Sequence, residues 1–189
     1  MSAESVGIHM PAVVTLDDLA AMNAADAHGH RYETSPEGVL SIVPPPDSEH
    51  AVIASRLFAW LITAGWPADQ VLQVVGIRVP GAAGDGGRIP DLTVWSSSPP
   101  RGVWLPVAGL ALVIEIVSPG SEAMDEVTKR REYARAGVPR YWVVDRDDVH
   151  TVTAYRLASD GAYVEQARTP LVWLVQTDPA DHLGRVEGR

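Results

Sequence analysis

The chain contains no cysteine. Disulfides and thiolate metal ligands are therefore excluded, and a cytoplasmic location is expected. It has one phenylalanine and one lysine, Lys129, while arginine supplies every other basic side chain. No apolar run reaches the roughly 18 residues of a membrane-spanning helix. The opening residues, MSAESVGIHM, lack both a basic start and an apolar stretch, so no secretory signal is expected. No GK[ST] follows the glycines of 81–87, which read instead as a flexible flap, and no serine lies in a Gly-x-Ser-x-Gly elbow. A phosphate loop and a serine-hydrolase triad are thus both unsupported. His28 and His30 have metal-like spacing but no third ligand nearby, and they read as a mobile loop.

What is present is 189 residues, 46% of them hydrophobic, which suits one compact domain. Residues 1–12 read as a loose segment and 13–189 as a single domain. The net charge of −9 argues against non-specific coating of nucleic acid, which depends on neutralising phosphates. The charge is uneven, however. Within 125–146, Lys129, Arg130, Arg131, Arg135, Arg140 and Arg146 outnumber Asp125, Glu126, Glu132 and Asp145 by two, leaving −11 on the remainder. A basic segment on an acidic body can still face a phosphate backbone.

Thr15 followed by Leu-Asp-Asp reads as a capped helix start, with the helix running to about Met22. Residues 31–34 and 39–43 read as a hairpin around Pro36-Glu-Gly38. A mostly buried helix is expected over 49–64, opened by Asp47 or Ser48. Strands are expected at 71–79, 91–95, 110–117 and 141–145, with a helix at 124–136 closed by Gly137. A hairpin over 151–157 and 162–167 ends the pattern. The result is an α/β (α+β) domain: a central mixed sheet flanked by helices, with extra hairpins at both ends. The six tryptophans read as core; Trp66 and Trp104, beside prolines in loops, read as packing or subunit contacts, with stacking on bases as the alternative.

Chemistry enters at Glu115. Residues 110–117 read LALVIEIV, a run suited to a strand buried on both faces. An isolated ionised carboxylate there would cost several kcal/mol. Glu115 is then paired with an arginine, lies at a strand end reached by water, or helps hold a metal. Asp91 follows Pro90 at the start of a strand, where it serves either as a turn former or as a second hard oxygen ligand. Two carboxylates with waters and phosphate oxygens are the usual setting for Mg²⁺. Asp125, Lys129 and Tyr133 recur every fourth residue, so they share one helix face. That face is either a solvated ion pair or a cation turned toward the carboxylates, where it can orient or activate water.

These residues resemble the PD-(D/E)XK nuclease superfamily and, more narrowly, its Uma-two family of restriction-endonuclease-like proteins. The resemblance runs through Arg88-Ile-Pro-Asp91-Leu and Leu112-Val-Ile-Glu115-Ile-Val-Ser118-Pro119. It continues through Asp125, Lys129 and Tyr133 to Gly137-Val138 and Tyr141-Trp142-Val-Val-Asp145, with Tyr32-Glu33 and His50 upstream. It covers about residues 13–166. It implies a restriction-endonuclease-like fold and Mg²⁺ or Mn²⁺ held by Asp91, Glu115 and the Ile116 backbone carbonyl. Lys129 would act as the catalytic lysine, with Asp125, Tyr133, Glu33 and His50 in support. The general motif places its lysine two residues after the acid, where this chain has Val117, and the resemblance makes Lys129 the counterpart. The implied activity is metal-dependent endonucleolytic hydrolysis of phosphodiester bonds in nucleic acid, DNA first, by a cytoplasmic homodimer. The competing readings are an inert nuclease-fold binding or regulatory module, and a hydrolase of a small phosphorylated compound.

Overall fold

A computed structural model describes residues 13–82, 84–118 and 124–184; the side chains of Asp125 and Glu126 lie outside that description, as do residues 1–12. Thr15 opens α1 (Leu16–Ala25) with a capping box. The Asp18 N–H donates to Thr15 Oγ1 at 3.1 Å, and the Thr15 N–H donates back to Asp18 Oδ2 at 2.9 Å. In the 28–30 segment Asp26 Oδ1 accepts from the backbone N–H of both His28 and His30 at 2.8 Å, which makes it a hydrogen-bonded turn. Strands β1 (Arg31–Thr34) and β2 (Leu40–Val43) form the first hairpin. Asp47 caps α2 (Ser48–Thr63) by accepting from the His50 N–H at 3.0 Å. The helix buries Ile53, Leu57, Trp60 and Leu61, the spacing of one apolar face.

The expected strand at 71–79 is two strands. Val74 sits at φ +51° between β3 (Val71–Gln73) and β4 (Gly76–Val79). That left-handed kink redirects the chain, and the two strands join different sheets. The expected flap is also shorter, because Gly86 and Gly87 belong to β5 (Gly86–Arg88). A Cβ on Gly86 would come within 2.7 Å of backbone atoms of residues 34–36, so glycine there permits close approach of β5 to β1. The chain continues through β6 (Leu92–Trp95), β7 (Trp104–Pro106) and β8 (Leu110–Ile116).

The next helix opens as a π-helix over Met124–Lys129 and becomes α3 at Arg130–Arg135. It closes in a Schellman motif: Gly137, at φ +76°, donates to the Ala134 carbonyl and Val138 donates to the Tyr133 carbonyl, both at 3.0 Å. Then come β9 (Arg140–Val144), β10 (Thr151–Leu157) and β11 (Tyr163–Pro170). Two short helices follow that the sequence pattern did not suggest, α4 (Leu171–Leu174) and α5 (Pro179–Leu183).

The expected α+β architecture of mixed sheet flanked by helices is present, with the strands of the described residues divided between two mixed sheets. The larger has the order β11-β10-β9-β8-β6-β3, with β8 and β9 parallel. The smaller has the order β2-β1-β5-β4-β7 and absorbs the first hairpin. Alternation along β8 sends Leu112, Ile114 and Ile116 into a core shared with α2, α4 and α5. Val113 and Val117 enter a second core with Tyr133, Tyr141 and Ile77, between the sheets and α3. Both faces of β8 are therefore covered, as its apolar run requires. Four tryptophans are buried, Trp66 among them, but Trp173 is 65% exposed, contrary to the core expectation. No helix among the described residues is long and apolar enough to cross a membrane.

Candidate active site

Glu115 lies on the α3 side of β8, the side that also takes Val113 and Val117. It is 3% exposed. Lys129 Nζ stands 3.0 Å from its Oε2, and the Tyr133 hydroxyl donates to its Oε1 at 2.8 Å. Lys129 and Tyr133 are one helical turn apart, and this turn faces the strand. The lone lysine thus supplies the ammonium from the helix. Val117, where the superfamily motif has lysine, is buried apolar core on the same strand face as Glu115. Burial and the neighbouring Glu115 and Glu33 carboxylates hold the Tyr133 phenol well above its ordinary value, so it remains a donor.

Asp91 sits just before β6, where the β6–β8 register brings it alongside Glu115. Its Oδ2 accepts from the Ile116 N–H at 2.9 Å. Its Oδ1 receives Arg31 at 3.0 Å and lies 3.1 Å from His50 Nε2. Burial alone would raise the Asp91 carboxyl. The His50 hydrogen bond, the Arg31 charge and the Ile116 N–H outweigh it and hold the carboxyl below its ordinary 3.8. His50 reaches Asp91 because Asp47 fixes the first turn of α2; its other ring nitrogen, Nδ1, is buried without a hydrogen-bond partner among the described residues.

Glu33 joins the cluster through Lys129 and Arg88. Its Oε1 accepts from the Ile89 N–H at 2.9 Å, and its Oε2 meets Arg88 at 3.3 Å and Lys129 at 3.8 Å. Arg88 completes the cluster with a two-pronged pair to Glu132, 2.7 Å on each arm. Glu33, Asp91, Glu115, Glu132, Arg88, Lys129 and His50 are all buried. Such a density of buried charge is what functional sites concentrate, although structural ion networks share it.

Every described side chain expected at the site enters this cluster: Asp91, Glu115, Lys129, Tyr133, Glu33 and His50. The side chain of Asp125 lies outside the described residues. At Ile116 the backbone N–H donates to Asp91. Sequence reasoning assigned no site role to Arg31, Arg88 or Glu132, although Arg88 opens the Arg88-Ile-Pro-Asp91 stretch. Arg88 and Glu132 are separated by 44 residues, and nothing local marks either as buried.

Among the described residues, no group of three or more His, Cys, Asp or Glu side chains is placed to hold a metal ion. A pair of carboxylates on neighbouring strands is nonetheless a donor set that suits Mg²⁺, which keeps much of its coordination as water. The residues present fit a hard divalent ion and not a soft one.

The model of a family described as "Putative restriction endonuclease", Uma2, matches residues 16–181. The chain belongs to the Uma2 family. A similar fold occurs in a crystal structure described as "a putative nuclease belonging to DUF820" from Anabaena variabilis ATCC 29413. The likeness has a TM-score of 0.57 and 20% identity, over 80% of this chain and 82% of that one. No curated protein matches the chain. The Uma2 match spans α1 to α5, so it takes in both sheets and the whole charge cluster.

Proposed function

We propose that this Uma2 protein is a metal-dependent endonuclease that hydrolyses phosphodiester bonds in DNA. The observation that carries the reading is the buried ammonium of Lys129, 3.0 Å from Glu115, whose strand β8 pairs with the strand that Asp91 precedes. Asp91 and Glu115 would hold Mg²⁺ or Mn²⁺, with the Ile116 carbonyl as a third oxygen. That carbonyl leaves the strand on the same side as the Ile116 N–H, the side of Asp91. A bound divalent ion supplies Lewis acidity toward a phosphoryl oxygen and lowers the pKa of water.

The residues do the rest. Lys129 positions the attacking water and offsets charge that grows on the phosphoryl oxygens, where a fixed cation in a dry site is most effective. Tyr133 and Lys129 fix the two oxygens of Glu115. Arg31 and His50 fix Asp91 and keep it ionised. Glu33 sets Lys129 against Arg88, and Asp125 and Glu33 act as supporting carboxylates. The protein works in the cytoplasm as a homodimer, so that paired sites can cut both strands; β11 offers an exposed edge for such pairing.

The test is cleavage of supercoiled plasmid, linear duplex and single-stranded DNA with Mg²⁺ or Mn²⁺. Wild type should cut at least one substrate, and Glu115→Gln and Lys129→Met should each lose at least about a hundredfold in rate, the scale of one lost electrostatic catalytic group. Equal rates in all three proteins would sink the reading. A second reading, a non-catalytic module on the same fold, draws on one observation: Arg31, His50, Lys129 and Tyr133 already satisfy both carboxylates. That module would bind DNA unchanged by metal and cut none of the three substrates.

A further inference from the structure

The far end of the large sheet carries a second concentration of charge. Arg140 opens β9, and Arg156 lies directly opposite it in the β9–β10 register. Like charges facing one another across strands are destabilising and need a compensating partner. Neither arginine has a carboxylate within ion-pair distance among the described residues, a property shared with Arg56, Arg101, Arg130 and Arg131, but among the described arginines only Arg140 and Arg156 stand directly opposite each other in a strand register. Arg140 is half-buried, and its one described hydrogen bond goes to the His182 carbonyl at 3.1 Å. Burial and the adjacent Arg156 both press the Arg140 guanidinium downward from its ordinary value.

Arg140 and Arg156 both line a cleft between the sheet and α5, lined also by Trp142, Gln166, Asp181 and His182. The cleft is separate from the Asp91–Glu115 cluster. Arg140 alternates with Tyr141 and shares the α2 face with Trp142, while Glu115 points to the α3 face. Along the strands, Glu115 pairs with Val143, three residues and about 10 Å beyond Arg140.

We propose that this cleft is a phosphate-binding site, with Arg140 and Arg156 gripping one phosphate group from two strands. Two guanidinium forks converging from adjacent strands match the several acceptor oxygens of a phosphate, and the anion removes the repulsion between them. Asp181, on the rim, sets a limit on affinity by its own negative charge. The site is independent of whether the Asp91–Glu115 cluster cuts DNA.

The experiment is calorimetric titration of the full chain with inorganic phosphate in chloride buffer of fixed ionic strength. Wild type should bind one phosphate. Arg140→Gln and Arg156→Gln should each bind on the order of tenfold more weakly or worse, the fold-change expected when one charge-assisted hydrogen bond is lost. Asp181→Asn should bind more tightly. Because Arg156 is exposed, its substitution keeps the fold, and without phosphate that variant should melt no lower than wild type. Competition then identifies the source. Displacement only by a 5′-phosphorylated oligonucleotide points to a terminal phosphate, displacement by its dephosphorylated twin as well points to the phosphodiester backbone, and displacement by neither leaves the free ion. No phosphate heat in wild type, or equal affinity in wild type and both arginine variants, overturns the proposal.

Discussion

Arg88 is fully buried, and its two-pronged pair with Glu132 leaves no room for one partner without the other. Removing a single member of a buried pair strands a charge, typically at a cost of about 3–5 kcal/mol, whereas replacing both with apolar side chains is often close to neutral. Arg88→Met should therefore lower unfolding free energy by about that amount in urea melts, and Arg88→Met with Glu132→Leu should recover part of it. Asp91 makes a separate prediction. Its folded carboxyl lies below 3.8, so below about pH 4 the unfolded chain binds more protons than the folded one. The stability it contributes is complete above that point and is lost as pH falls through the folded value. Unfolding free energy measured from pH 6 downward should fall less steeply on the acid side in Asp91→Asn than in wild type. The residues that the sequence made legible here were those whose type clashed with their surroundings, such as Glu115 in an apolar strand and the single lysine. Arg31, Arg88 and Glu132 clash with nothing locally; only folding reveals that they are inside.

At the scale of elements, the long apolar or well-capped segments were readable and the short ones were not. The β8 strand and α2 lie close to where their patterns place them. The break between β3 and β4 was hidden because Val74, a β-branched residue, is a poor candidate for positive φ. Strand β5 hid within glycines that read as a loop, and α4 and α5 are too short to show a helical period. The π-helical opening of the α3 segment also defeats reasoning from α-helical spacing, since its turn is wider. Lys129 and Tyr133 still converge on Glu115, because the α-helical register resumes there. Helix α2 carries a prediction of its own. Asp47→Ala removes the cap that orients His50 toward Asp91, and it should cost about 1 kcal/mol in urea unfolding. If Val117 and Lys129 are alternative origins for one ammonium on one face, then Lys129→Met combined with Val117→Lys should cleave DNA faster than Lys129→Met alone.

At the scale of the molecule, two sheets meet around a buried charge cluster. The larger brings Asp91 and Glu115 side by side, the smaller delivers Glu33, Arg31 and Arg88, and the helical segment delivers Lys129, Glu132 and Tyr133. Family membership accounts for the fold and says what kind of protein this is; the account of how it works rests on Asp91 and Glu115 as ligands with Lys129 as the cation beside them. One calorimetric titration with Mn²⁺, on the wild type and three variants whose folding is verified by circular dichroism, tests that most directly. Wild type should bind, Asp91→Asn and Glu115→Gln should lose binding by at least about tenfold, the effect of one charge-assisted ligand contact. Lys129→Met, relieved of a competing cation on Glu115, should bind at least as tightly as wild type. Absence of Mn²⁺ heat in wild type, or unchanged affinity in Asp91→Asn and Glu115→Gln, would contradict the account.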